Sequence, residues 1–255
     1  GYMHTLSEAL RPCWSVLTYA QRGTIANPSV LENITIEGHF EDLDGLIAQH
    51  KQGRPVILIG HSWGADLALI YAANRPRTIE RLILISTAPL SWKLEIAMEK
   101  RLHQRLSAEV LARSQKLAGQ MERLLESPMS ARRELNALAA ARLKLTLSAY
   151  HYDPVVTDKV PELELDFLGF LQSKSALWEL IESGQIPALL QEIDSPVFAI
   201  HGEDDVFDCE QTFAFLTQHI SNLSTVQIKK CGHFPWLEPA ARAEFLRALE
   251  SALTE

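Results

Sequence analysis

Three polar residues follow apolar stretches of the chain and have the types that nucleophilic catalysis requires. Ser62 lies in the pattern Gly-His-Ser-Trp-Gly, Asp205 ends the pattern Gly-Glu-Asp-Asp, and His233 lies in Gly-His-Phe. Serine is a weak nucleophile that needs a base within hydrogen-bond reach, and that base needs an acid that fixes its tautomer. The sequence therefore predicts a nucleophile, Ser62, a general base, His233, and an orienting acid, Asp205.

The elements before these residues predict that the three side chains meet at one edge of a β-sheet. Residues 56–59, 81–86, 196–200 and 225–228 have the apolar and β-branched character of strands, and helical patterns separate them. Repeated strand–helix units indicate an α/β fold, a mostly parallel sheet with helices on both faces. The carboxyl ends of parallel strands share one edge, where the active sites of such folds form.

Two glycines beside Ser62 predict a sharp turn from strand to helix. Gly60 and Gly64 flank the serine, and glycine lets a backbone turn tightly because it has no Cβ. Apolar residues from Leu67 onward recur at helical spacing. Such a turn holds the serine oxygen out at the end of the strand, and the N–H of Trp63, at the helix start, points the same way. Trp63 is therefore the candidate oxyanion donor.

Composition and charge narrow the function classes. The chain of 255 residues carries a formal net charge of −8 at pH 7 and has a pI near 5.6, which argues against a nucleic-acid binder because such proteins have a basic face. The sequence has no run of about 18 apolar residues, so no membrane span is expected, and no secretory signal is visible. The three cysteines, Cys13, Cys209 and Cys231, lack metal-ligand spacing. Reduced thiols in a cytoplasmic protein without a metal or cofactor are the simplest account.

Four further residues near these turns are expected to have structural roles. His61 should point away from Ser62 because side chains alternate along a strand. Cys231 is typical of a small buried residue, Asp208 of a helix cap, and Glu238 of an acid at a helix start before proline. None of the four is expected to take part in the chemistry.

A long helical region interrupts the strand–helix alternation. Residues 89–191 have few strand signals, and prolines divide them into separate helices. The expected organisation is an α/β core formed by residues 1–88 and 192–255, with a helical cap formed by residues 89–191. Acids outnumber bases between positions 151 and 182, which is most often a solvated face.

The three polar turns together resemble those of the α/β-hydrolase superfamily. Residues 60–64 match its nucleophile elbow, residues 202–205 its Gly-x-x-Asp acid turn, and residues 232–234 its terminal Gly-His-aromatic turn. The resemblance covers the chain from about Trp14 to the C-terminus. It implies the α/β-hydrolase fold with a helical cap.

The resemblance also implies a reaction. By analogy, Ser62 attacks an acyl carbonyl, and His233 acts first as general base and then as general acid. Asp205 orients the imidazole, although Asp204 competes with it for that role, and the Trp63 N–H holds part of the oxyanion. The implied enzyme is a serine hydrolase that cleaves a carboxylic ester or amide through an acyl-enzyme, without a cofactor. Its substrate would be a small-molecule ester, an amide or a short peptide.

Two alternatives remain open. The pattern Gly-x-Ser-Trp-Gly, residues 19–23 and the helical cap are similar to those of proline iminopeptidases, and the acids between Asp153 and Asp166 would then bind a substrate's free amine. The other alternative is a catalytically weak or inactive chain, because relatives have earlier strands whose exit loop supplies a second oxyanion N–H. Gly1 would be the last glycine of that loop. One such strand would lie between a strand expected at residues 14–19 and the elbow strand, so we expect a missing N-terminal segment or a second polypeptide to complete the sheet.

Overall fold

A computed structural model describes residues 3–50, 54–160 and 165–255, in which four strands form one parallel sheet in the order β1-β2-β3-β4. The strands are β1 (Val56–His61), β2 (Ile79–Ile85), β3 (Val197–Gly202) and β4 (Leu223–Ile228). The α-helices are α1 (His4–Leu10), α2 (Ile36–His50), α3 (Trp63–Asn74), α4 (Trp92–Arg105), α5 (Ala108–Leu124), α6 (Pro128–Thr146), α7 (Phe167–Glu182), α8 (Ile186–Gln191), α9 (Cys209–His219) and α10 (Arg242–Thr254).

Alternate residues of the central strand feed two hydrophobic cores, one on each face of the sheet. Leu82 and Leu84 of β2 pack with α2, α3, α8 and α9, whereas Ile83 and Ile85 pack with α1 and α10. All four side chains are buried, which explains why β2 is an almost continuous apolar run. The α/β fold predicted from the sequence, with a parallel sheet and helices on both faces, is confirmed.

The strand expected at residues 14–19 is wrong. Within the described residues this segment has no sheet pairing, and β1 pairs with β2 alone. Trp14 and Tyr19 nevertheless pack on the two cores. The apolar pattern of residues 14–19 therefore indicated only that these side chains pack against the cores. A strand also needs a hydrogen-bonded neighbour. Gly1, assigned to the oxyanion loop, lies outside the described residues.

In the described part of the chain between β2 and β3 lie five α-helices, α4 to α8, in the region that we name the helical insertion (residues 89–191). α5, α6 and α7 share a small apolar cluster of their own, which includes Met121, Leu135 and Leu168. α8 instead packs on α3, and its Ile186 and Leu190 belong to the sheet core that contains Leu82 and Leu84. The helical insertion thus has one part with a separate core and one part that is continuous with the sheet domain.

A close backbone contact fixes α7 against the loop that follows residues 14–19. A Cβ added to Gly169 would lie 1.9 Å from the carbonyl oxygen of Gly23. Gly23 itself has a φ of 76°, which glycine adopts without strain. Larger residues at position 169 would push the helical insertion away from the core.

The described helices and cysteines bear on the membrane and redox predictions. None of the helices in residues 3–50, 54–160 and 165–255 is both long and apolar enough to cross a membrane. Cys13 is exposed, Cys209 and Cys231 are buried, and all three are free thiols. Burial raises the pKa of the Cys209 thiol to about 12, so this thiol is held in its unreactive protonated form.

His39 is a buried histidine in the contact between α2 and α7. Its Nε2 lies 3.2 Å from the Oγ of Ser173, and its ring packs edge-on against Trp63. Burial, and then the positive charge of Arg22, lower the pKa of His39 to about 4. His39 is therefore neutral in the folded protein at pH values where it is protonated in the unfolded chain.

This difference predicts a specific pH dependence of stability. Because the folded-state pKa is depressed, lowering the pH from about 6.5 to about 4 protonates only the unfolded chain and reduces the free energy of unfolding, by roughly 3 kcal/mol for a shift of this size. The substitution His39→Gln should remove that part of the decline. Urea unfolding at several pH values between 7 and 4 measures it. His50→Gln, at the exposed end of α2, is the matched control, and equal slopes for the two variants would contradict the prediction.

Candidate active site

The nucleophile candidate lies in a strained turn at the end of β1. Ser62 has a φ of 54° and a ψ of −127°, a region that residues other than glycine rarely occupy. Its N–H donates to the carbonyl of Ile85 on β2 (3.0 Å), and its carbonyl accepts from the N–H of Ala65 (2.8 Å). These bonds hold the serine at the junction of strand and helix despite the strain.

The two flanking glycines have different roles. A Cβ on Gly60 would lie 2.3 Å from the carbonyl oxygen of Gly64 and 2.6 Å from the Cα of Ala65, so only glycine fits there. A Cβ on Gly64 would meet nothing within 4 Å. The expectation that both glycines relieve clashes is therefore right for Gly60 alone. The unusual backbone angle belongs to Ser62 itself.

The base and acid candidates meet at the carboxyl ends of β3 and β4. His233 Nδ1 lies 2.8 Å from Asp205 Oδ2, and because a carboxylate only accepts, Nδ1 carries the proton and donates. The N–H of Phe207 donates to Asp205 Oδ1 (3.1 Å). Asp204, the competing acid, is half-buried; its N–H donates to the carbonyl of Cys231 (2.8 Å), and its carbonyl accepts from Arg105. Of the two acids, the structure brings Asp205 to the imidazole.

Burial and charge act in opposite directions on Asp205, which has no solvent exposure. Burial by itself raises the pKa of Asp205, but the charge of His233 and the hydrogen bonds from His201 and His233 outweigh it. The pKa of Asp205 therefore lies well below its usual range. The site holds an ionised carboxylate next to the imidazole.

His201 is a residue that sequence reasoning missed. This buried histidine on β3 directs Nε2 at two acceptors, Asp205 Oδ2 at 3.3 Å and the carbonyl of Phe207 at 3.0 Å. Its Nε2 therefore carries a proton and serves as a second donor to the acid turn. The available signal was a histidine four residues before Asp205, directly after the apolar run of residues 196–200.

His61 is the last residue of β1, directly before Ser62, and it contacts the base candidate His233. Its Nε2 lies 2.8 Å from the backbone carbonyl of His233, and the two rings are 4.5 Å apart. Burial, and then the charge of His233, lower the pKa of His61 well below its usual range, so His61 is neutral and donates from Nε2 to that carbonyl. The expected packing role is confirmed, with a hydrogen bond to the histidine turn in addition.

Trp63 begins α3, so its N–H is one of the amides that have no partner within the helix. Its indole Nε1 donates to Gln21 Oε1 (3.2 Å), and its ring packs edge-on against His39 at 5.8 Å. The side chain is thus held away from Ser62. The main chain of Trp63 remains at the elbow, where the oxyanion donor is expected.

Two arginines of α4 bind the turn that carries Asp205. Arg101 donates to Asp208 Oδ2 (2.9 Å), and Arg105 donates to the carbonyls of Asp204 and Ala149. Asp208 also accepts from the N–H at the start of α9, so its expected capping role is confirmed. The helical insertion therefore holds one turn of the site.

Comparison with known proteins identifies the family. The family model for the alpha/beta hydrolase fold matches residues 7–240. The chain belongs to this family.

Two curated proteins are similar to the chain at low identity. One is a pimeloyl-(acyl-carrier protein) methyl ester esterase of Nitrosospira multiformis, 25% identical over 184 residues that cover 71% of this chain and 62% of that protein. The other is a 2-hydroxymuconate semialdehyde hydrolase of Pseudomonas putida, 24% identical over 207 residues that cover 78% of this chain and 62% of that protein. The chain thus spans 62% of the length of these relatives.

Solved structures show the same fold. The epoxide hydrolase CorEH has a TM-score of 0.68 at 17% identity, over 99% of this chain and 85% of that chain. An esterase from Thermogutta terrifontis has a TM-score of 0.63 at 21% identity, over 98% of this chain and 85% of that chain. At such identities the likeness concerns the fold alone.

The strained backbone of Ser62 predicts an unusual effect of glycine. Ser62→Gly relieves an angle that costs about 1–3 kcal/mol, whereas Ser62→Ala retains it. Glycine also gains conformational entropy in the unfolded chain, which offsets part of this relief. The free energy of unfolding of Ser62→Gly should therefore be about 1 kcal/mol higher than that of Ser62→Ala. Urea denaturation measures the difference.

The control for this comparison is Ser224, an exposed residue of the extended strand β4. There the order should reverse, because glycine weakens a regular strand. If alanine were the more stable replacement at both positions, Ser62 would not be strained.

Proposed function

We propose that the chain is a serine hydrolase that cleaves a carboxylic ester or amide through an acyl-enzyme. The observation that carries the proposal is the buried hydrogen bond of 2.8 Å between His233 Nδ1 and Asp205 Oδ2. It fixes the tautomer in which Nε2 is free to accept a proton. Ser62, at the end of β1, is the nucleophile that this base would serve.

Each residue then has one task in the reaction. Ser62 Oγ attacks the acyl carbonyl while His233 Nε2 takes the serine proton, and the same imidazole later gives a proton to the leaving group. Water then attacks the acyl-enzyme with His233 as base and releases the acid. Asp205 stabilises the imidazolium in both steps, and the Trp63 N–H donates to the oxyanion.

The surroundings of the imidazole support this chemistry. His233 is 4% exposed, and the rings of Tyr150 and Phe207 pack edge-on against it with centroids 5.5 and 4.8 Å away. These rings exclude water, which strengthens the interaction between the imidazole and the carboxylate. Tyr150 belongs to the helical insertion, which we propose to act as a lid over the site.

The relatives favour an ester over a peptide. One of the two curated relatives is named an esterase, and neither is named a peptidase. The proline iminopeptidase alternative needs free acids in the helical insertion. Asp153 caps the N–H of Val155, and Asp166 caps α7 and forms an ion pair with Arg132. These partners disfavour amine binding by Asp153 and Asp166, whereas Asp158 is exposed and positions 161–164 lie outside the described residues.

Two further predictions about the whole protein remain proposals. The three free cysteines support a reducing compartment such as the cytoplasm. A further segment or a second polypeptide that pairs with β1 and supplies another oxyanion donor remains a prediction. Loss of one donor typically costs about 10²–10³ in rate, so a weakly active chain is the second candidate.

A fluorophosphonate probe tests the nucleophile directly. We expect a covalent adduct at Ser62 in the folded protein, located by peptide mass spectrometry, and none in Ser62→Ala. Folded wild-type protein without an adduct would overturn the proposed hydrolase.

The acid is tested by a matched pair of substitutions. Asp205→Asn should lower kcat about 10³–10⁴-fold because the imidazole loses its oriented tautomer, whereas Asp204→Asn should leave kcat within about twofold. Hydrolysis of p-nitrophenyl butyrate measures both. Cleavage of proline naphthylamide but not of this ester would favour the peptidase, and equal losses for the two variants would contradict the assignment of Asp205.

A further inference from the structure

The turn that carries His233 has little support of its own. Residues 229–236 contain no regular secondary structure, and Lys230 has a left-handed φ of 52°. Catalysis nevertheless requires the imidazole to stay aligned with both Asp205 and Ser62. Contacts from outside the turn must supply that alignment.

Glu238, five residues after the histidine, supplies such contacts. Its carboxylate has no solvent exposure, and Oε1 accepts from the N–H of Gly232 (3.2 Å) and from the N–H of Tyr152 (3.0 Å). Oε2 accepts a longer bond from the N–H of Asp153 (3.5 Å), and His151 Nδ1 lies 3.4 Å from Oε1. The expected role as an acid at a helix start is wrong for this carboxylate, because α10 begins only at Arg242.

The donors belong to two different parts of the fold. Gly232 immediately precedes His233, whereas Tyr152 and Asp153 lie in the helical insertion. A buried carboxylate needs several donors to offset its desolvation, and here neither part supplies enough alone. Glu238 therefore favours the arrangement in which the two segments are held together.

Backbone packing shows how close the two segments are. The N–H of His233 donates to the carbonyl of Tyr150 (2.7 Å). A Cβ on Gly232 would lie 2.2 Å from that carbonyl oxygen and 2.6 Å from the Cα of His151. The segment 150–153 thus lies directly on the histidine turn. On its other side, Arg105 of α4 binds the carbonyl of Ala149 (2.9 Å).

We propose that Glu238 is a positioning residue that ties segment 150–153 of the helical insertion to the histidine turn and so keeps His233 aligned with Asp205. The inference rests on the proposed role of His233 as the base. Glu238 touches no reacting atom and acts through the main chain of Gly232. The same tie makes the position of the base depend on the position of the helical insertion.

The test compares Glu238→Gln with Glu244→Gln, an exposed carboxylate on the first turn of α10. The amide at position 238 keeps the volume but loses one acceptor and the charge. We expect kcat for p-nitrophenyl butyrate to fall about 10- to 100-fold with little change in KM, because misalignment affects the reaction more than binding. Glu244→Gln should match the wild-type protein.

Two readouts separate positioning from a merely structural role. Hydrogen exchange should accelerate in both segments, residues 150–153 and 230–236, and the downfield proton signal of the bond from His233 Nδ1 to Asp205 should weaken. Faster exchange with unchanged kcat and an unchanged proton signal would overturn the inference. So would a Glu238→Gln protein that behaves like Glu244→Gln.

A second variant covers the case in which Glu238→Gln does not fold. Gly232→Ala inserts a Cβ against segment 150–153 and should produce the same loss of kcat and of the proton signal. A normal signal and normal kcat in this variant would overturn the inference. If the wild-type protein takes up no fluorophosphonate, the proposed function fails instead, and the proton signal in Glu238→Gln still decides whether Glu238 positions His233.

Discussion

A carboxylate without solvent exposure, that of Asp205, determines how the surrounding residues must be arranged. An ionised carboxylate in such a place costs several kcal/mol unless donors surround it. The chain provides the Nδ1–H of His233, the Nε2–H of His201 and the N–H of Phe207. Because His201 is part of β3, its bond to Asp205 fixes the carboxylate to the sheet. The carboxylate in turn fixes the position of the His233 imidazole through the bond to Nδ1.

The helical insertion contacts both the turn that carries Asp205 and the turn that carries His233. α4 holds the acid turn through Arg101 and Arg105, and segment 150–153 holds the histidine turn through Glu238. Both turns of the site therefore depend on residues that lie outside the α/β core in sequence. A displacement of the helical insertion would break hydrogen bonds of the Asp205 turn and of the His233 turn together.

Much of the fold follows from local pattern. Apolar runs mark β1, β2 and β3, and because the strands are parallel, their carboxyl ends had to meet at one edge. Residues 14–19 are an exception, because they have an apolar pattern but form no strand. Their side chains are apolar enough to pack on both cores, but a strand is defined by its hydrogen-bonded neighbour, and a single segment contains no information about that neighbour.

The sequence by itself identified the candidate residues: a serine between glycines at a strand end, an acid turn and a histidine turn, each recognisable within five residues. It also established that these turns share one edge, since that follows from strand–helix order. Only the tertiary structure decided which groups support them. His201, His61 and Glu238 have no distinctive local pattern, and their roles depend on contacts with residues that are up to 172 positions away. Burial and hydrogen bonding of this kind arise when the chain packs, so no short stretch of sequence can specify them.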